Sequence, residues 1–217
     1  MRKCTFTEGV KPRKGRIPVI GVGGGTSAGK TTLVNIFGNR GWAILDLDHE
    51  ARRLSRKGGS IWKALLKEFG PVILRRDGNL DRKKLGWFAF KKRKNLLHLN
   101  CITHLFLLQE TRKIIARTQE KGLVVDGAVL YEGGFLPLLD MIIYVEVNQE
   151  ERVRRICQKG LSDREARRRV KGQFFLPSLR RRSSIVLQNC ESREHWRRIT
   201  EDLLNMIEKQ LSHSREE

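Results

Sequence analysis

No stretch of this chain constrains its fold as much as residues 24–31, Gly-Gly-Thr-Ser-Ala-Gly-Lys-Thr, which keep the Walker A spacing G-x-x-x-x-G-K-[ST]. Such a loop needs a buried strand to feed it, glycines that let backbone N–H groups turn inward, and a helix leaving it. The helix N-terminus then offers unpaired N–H groups and the positive end of its dipole to a polyphosphate. The apolar run Ile17 to Val22 supplies the strand, and Thr32-Leu-Val-Asn-Ile-Phe37 continues as the helix. The spacing assigns nucleotide phosphates to Gly24, Gly25, Thr26, Ser27, Ala28, Gly29, Lys30, Thr31 and Thr32. Within that set Lys30 reaches the β- and γ-phosphates, and the Thr31 hydroxyl is a ligand for Mg²⁺.

A second apolar run, Trp42 to Leu47, delivers Asp46 and Asp48 to its C-terminal end, where ligands sit in open α/β sheets. Asp48 also suits the N-cap of a helix from His49 to Arg56, so capping and chemistry are both open to it. Leu123-Val-Val-Asp126 has the form of a Walker B strand, with Asp126 either structural or a ligand of Mg²⁺ through water. Met141 to Val147 and Ile185 to Leu187 read as two further strands. Asn148 with Glu151, and Ser162 with Glu165, have capping-box spacing and predict two helices. The basic helix-turn-helix stretch Arg152 to Arg169 could close over phosphates as a lid. Glu194 to Leu211 is an amphipathic closing helix.

These pieces predict an α/β fold of the P-loop NTPase type, three layers around a five-stranded, mainly parallel sheet. Residues 17–57 and 121–211 form its nucleotide-binding core, with the lid at about 152–173. Residues 58–120, mostly helical and without a second glycine-rich loop, form a helical insertion. Residues 1–16 are a basic arm expected to be disordered, and 212–217 a tail.

The chain has 217 residues, enough for one substantial core. No apolar run approaches the roughly 18 residues that cross a bilayer, so no membrane association is expected. Cys4, Cys101, Cys157 and Cys190 are scattered and form no metal-type pair, which fits a reducing cytoplasm. The net charge of +20, carried by runs such as Arg167 to Arg169 and Arg180 to Arg182, allows a second class of function, nucleotide-dependent nucleic-acid binding. The aromatic share of 7% is low, and aromatics do not interleave with the arginines as stacking platforms would, which disfavours that class.

The order of motifs resembles the dephospho-CoA kinase family across residues 17–210. It begins with Ile20 to Thr32 and continues in Ala43-Ile-Leu-Asp-Leu-Asp-His-Glu-Ala-Arg-Arg53. It recurs in Asp77 to Arg82, in Ile102-Thr-His104, in Leu130-Tyr-Glu132 and in Asn189 after the last strand. The resemblance implies phosphorylation of the ribose 3′-hydroxyl of dephospho-CoA by ATP with Mg²⁺, with the insertion binding the acceptor. It implies that Asp48 is the catalytic aspartate, acting with Lys30, and that Asn189 belongs to the ATP site. Arg82 and His104 match acceptor-binding positions, and Arg154, with Arg155 and Lys159 beside it, belongs to the lid. Five positions depart from the family pattern. Gln158 stands where a lid arginine is usual, Ala128 and Leu105 replace prolines, and Ser183-Ser184 replaces Ala-Asp. Another P-loop kinase acting on a nucleoside or shikimate-like hydroxyl is the nearest alternative.

Overall fold

A computed structural model describes residues 4–6, 13, 16–91, 93–189 and 192–216. It divides into two compact units, Met1–Leu45 with Ile115–Glu217, and Asp46–Ile114.

The first unit is built on strand β2 (Val19–Gly24), all of whose residues are buried. Burial on both faces explains its continuous apolar run, since a strand covered on both sides has no reason to alternate. It pairs in parallel with β4 (Leu123–Asp126) and β5 (Met141–Glu146), and β5 pairs in parallel with β6 (Ile185–Gln188). Strand β3 (Ala43–Asp46) takes the edge beside β4. A sixth strand, β1 (Cys4–Phe6), lies antiparallel on β6 at the opposite edge, giving the order β1-β6-β5-β2-β4-β3. Residues 4–6 therefore depart from the expected disordered arm, most of which lies outside the described residues. At the base of that arm, Arg16 donates to Asp140 at 2.7 Å, and the same carboxylate accepts from Val19 N–H at 2.8 Å.

One face of the sheet is covered by α1 (Lys30–Asn39) and α9 (Arg193–Glu216). Leu33 and Phe37 from α1 and Leu203, Leu204 and Ile207 from α9 join Ile20, Val22, Val124, Ile143 and Val145 in one apolar core. On the other face α8 (Leu176–Arg181) approaches so closely that a Cβ on Gly23 would come within 2.5 Å of Leu179 Cδ2. Two more helices, α6 (Gln149–Cys157) and α7 (Asp163–Lys171), form the hairpin expected for the lid. Val153, Ile156, Ala166 and Val170 give it a small core of its own. Ser162 and Glu165 make the capping box. Asn148 caps α6 alone, through Glu150 N–H at 2.9 Å. Its expected partner Glu151 is drawn instead to Arg154 and Arg155.

The second unit is helical: α2 (Leu47–Leu54), α3 (Ser60–Phe69), α4 (Arg82–Lys91) and most of α5 (Arg93–Arg117). It begins at Asp46 and so takes in α2, which the expected insertion at 58–120 left in the core. Its Asp77-Gly-Asn turn is an Asx turn, with Asn79 N–H on Asp77 Oδ1 at 2.9 Å and Trp62 Nε1 donating to Gly78 O at 2.9 Å. Asp81 then caps α4 through Lys83 and Lys84 N–H.

Candidate active site

Strand β2 ends at Gly24, and helix α1 begins at Lys30. Between them the chain reverses through Ser27, at φ 60, and Gly29, at φ 103. Ser27 is the one described non-glycine residue with positive φ. A strained backbone of this kind persists only where its surroundings fix it.

Those surroundings are specific. Asn189, just past β6 and 5% exposed, donates Nδ2 to Ala28 O at 2.8 Å. Trp196 Nε1, from α9, donates to Gly29 O at 3.2 Å. A Cβ on Gly29 would meet Asn189 Nδ2 at 2.3 Å, so the clamp and the glycine require one another. A trans peptide points its C=O and N–H in opposite directions. The N–H groups of Gly29 and Lys30 therefore face away from the two clamping side chains. Helix α1 has no side-chain cap and no acid in its first turn, which leaves its positive end to an anion. Lys30 Nζ lies 3.0 Å from Gly24 O and 3.3 Å from Gly25 O.

Beside the loop is a cavity of about 960 Å³, within or near the size range of small-molecule sites. Ser27 to Thr32 and Asn189 line it from the sheet side, Glu151, Arg154, Arg155, Gln158 and Lys159 from α6 and the turn after it. Arg193, Trp196 and Arg197 line it from α9. Its cations outnumber its acids, Glu151 and Glu194, as a polyanion site requires. Two of the cations reach the loop: Arg155 donates to Ser27 O and Asn189 O, each at 3.3 Å, and Lys159 Nζ lies 3.2 Å from Ser27 Oγ. Arg154 turns outward to Glu151, at 2.7 and 2.8 Å. Hydrogen bonds from Arg154 and then Arg155 hold the Glu151 carboxyl down at about 2. Gln158 lines the same cavity, where Lys159 and Arg155 supply the positive charge.

The predicted residues fall in three groups. Ser27 to Thr32, Asn189, Arg154, Arg155 and Lys159 share the cavity, and Gly24, Gly25 and Thr26 form the approach to it. Asp126 ends β4, paired in register with Val22. Asp48, Arg82 and His104 belong to the second unit. There the N-cap of α2 is Asp46, not Asp48: Asp46 Oδ1 accepts Asp48 N–H at 2.8 Å and His49 N–H at 3.0 Å. The helix starts earlier than the sequence pattern predicts, because Leu47 is its first residue. Asp48 is exposed, with its carboxylate in no hydrogen bond or ion pair among the described residues. Arg82 is exposed at the start of α4. Burial lowers the pKa of His104 and so favours its neutral imidazole. Sequence reasoning missed Trp196, Arg193 and Arg197, since nothing in an amphipathic helix marks the turn that faces a ligand.

A family model described as dephospho-CoA kinase matches residues 18–194. A dephospho-CoA kinase from Carboxydothermus hydrogenoformans is 36% identical over 197 residues, 89% of this chain and 94% of that protein. Among solved structures, a Thermus thermophilus protein superposes with a TM-score of 0.73 at 26% identity, over 88% of this chain and 98% of its own. A dephospho-CoA kinase from Campylobacter jejuni gives 0.64 at 20% identity, over 88% and 98%, a likeness of fold.

Proposed function

The chain belongs to the dephospho-CoA kinase family, and from that premise we propose that it transfers the γ-phosphoryl group of ATP to the ribose 3′-hydroxyl of dephospho-CoA, yielding CoA and ADP. The observation that carries the donor half of this reading is the phosphate loop clamped by Asn189 and Trp196, with Arg155 and Lys159 laid over it. Family membership carries the acceptor half.

In this reaction the acceptor hydroxyl oxygen forms a bond to the γ-phosphorus as the bond to the β,γ-bridging oxygen breaks, and the hydroxyl proton passes to Asp48. Its carboxylate is spared from capping and exposed, as a base for a weak nucleophile must be. Lys30, Arg155 and Lys159 stabilise the charge that spreads over the transferring group, in a reaction that depends on positioning and electrostatics. Arg82 and His104 grip the acceptor. Mg²⁺, when bound, neutralises β- and γ-phosphate oxygens. The Thr31 hydroxyl and the Asp126 carboxylate, at the ends of neighbouring elements of the first unit, are the hard oxygen donors such an ion prefers, directly or through water. The described residues contain no helix long and apolar enough to cross a membrane, and we place the enzyme in the cytoplasm.

The test is ADP release from ATP·Mg²⁺ in the presence of dephospho-CoA, adenosine, uridine, shikimate or RNA, each added separately. Dephospho-CoA alone is expected to stimulate. Equal stimulation by another acceptor, or none by dephospho-CoA, removes the reading.

A further inference from the structure

Thr26 is held by two side chains that the phosphate-loop spacing does not announce. Gln173, just past α7, accepts Thr26 N–H on Oε1 at 3.1 Å and donates Nε2 to Thr26 Oγ1 at 3.1 Å. Arg152, in α6, donates Nε to Thr26 O at 3.2 Å and Nη2 to the same Gln173 oxygen. Backbone donor, backbone acceptor and hydroxyl of one loop residue are thus all engaged, from both ends of the lid hairpin.

Arg152 is only 6% exposed, and no carboxylate pairs with it among the described residues. A buried guanidinium that faces only neutral acceptors is expensive to keep, and arginine stays protonated even so. Its place is also built into the loop: a Cβ on Gly25 would lie 2.1 Å from Arg152 Cζ. We propose that Arg152 is a positioning residue which, with Gln173, latches the lid hairpin to Gly25–Thr26 and holds the start of the loop in its phosphate-binding shape. Its effect falls on the nucleoside triphosphate and not on the acceptor. The inference rests on the reading of this loop as the ATP site, and on nothing about the acceptor.

Equilibrium binding of ATP·Mg²⁺ without acceptor, by calorimetry, tests the latch apart from turnover. Arg152→Met is expected to weaken binding about ten-fold, the scale for losing hydrogen bonds from a charged donor. Gln173→Ala is expected to do the same. The double variant should be no more than about three-fold worse than the weaker single one, because both side chains fix one peptide. In steady state, the KM for ATP should rise while the KM for dephospho-CoA stays within about two-fold. Gln173→Glu keeps a partner for each Thr26 group and adds a carboxylate beside Arg152. It should bind ATP nearly as wild type if positioning is the role, and a ten-fold loss there would instead make the free charge of Arg152 the active feature and overturn the latch. Unchanged ATP affinity in a folded Arg152→Met protein also overturns it. Should that variant fail to fold, unchanged affinity in Gln173→Ala decides the matter in the same way. A wild type that binds ATP without phosphorylating dephospho-CoA would remove the acceptor reading and leave the latch standing.

Discussion

Asp46 and Asp48 stand two residues apart and do different work. Asp46 spends its carboxylate on the first N–H groups of α2, and Asp48, the second residue of that helix, pairs its own with nothing among the described residues. Exchanging Asp48 for Asn should therefore leave the helix intact and remove the proton acceptor we propose. The expected result is a fall in kcat of about 10²–10⁴-fold with ATP affinity within about three-fold of wild type. Asp46→Ala should instead lower stability by about 1 kcal/mol through the lost cap, read from denaturant unfolding. Loss of ATP affinity in parallel with kcat in Asp48→Asn would make Asp48 a structural residue. The two aspartates were visible in the sequence, but their division of labour was not. Capping depends on which residue leaves the strand first, and the apolar pattern misplaced that point.

At the scale of elements, the α6–α7 hairpin shows what local sequence rules convey and what they withhold. The Ser162–Glu165 capping box was legible, because it is a local rule. Which basic residue turns inward was not, since adjacent positions on a helix differ by about 100° in direction. Arg155, 22% exposed at its side chain, reaches the loop, while Arg154, at 64%, pairs outward with Glu151. Arg155→Ala is thus expected to lower kcat by at least about ten-fold, and Arg154→Ala by no more than about three-fold, in the same steady-state assay. The reverse ranking would mean that the lid turns on binding. Glu151 offers an independent check by pH. Its carboxyl lies at about 2 in the folded chain, below its ordinary value, so its contribution to the lid is complete above the ordinary value and is lost only as pH falls through about 2. The Glu151 side-chain carbon resonance should stay that of a carboxylate from pH 8 down to pH 4, and a midpoint near 4.5 would show that the pairs with Arg154 and Arg155 do not hold in solution.

For the molecule as a whole, the phosphate loop and the buried parallel strands that follow it were sufficient to read the fold class. Two elements escaped that reading. Strand β1 is three residues long, and α8 spans six residues that include Pro177, both too short for a period to register. The net charge of +20 also reads differently once side chains are placed. Arg180 is paired with Glu146 at the end of β5, and Arg167 with Glu150 and Asp163 in the α6–α7 hairpin, so part of each arginine run is engaged within the chain. Outside those runs, Arg154, Arg155, Arg193 and Arg197 line the cavity beside the loop. Charge deployed toward a bound nucleotide needs no nucleic-acid partner to explain it. The most direct test of the account is the product itself, separated by chromatography and weighed by mass spectrometry after incubation of dephospho-CoA with ATP·Mg²⁺ and the purified chain. The account predicts a product one phosphoryl group heavier that co-elutes with CoA, formed by wild type and suppressed in Asp48→Asn. ATP hydrolysis with dephospho-CoA recovered unchanged, or phosphorylation at another hydroxyl, would contradict it.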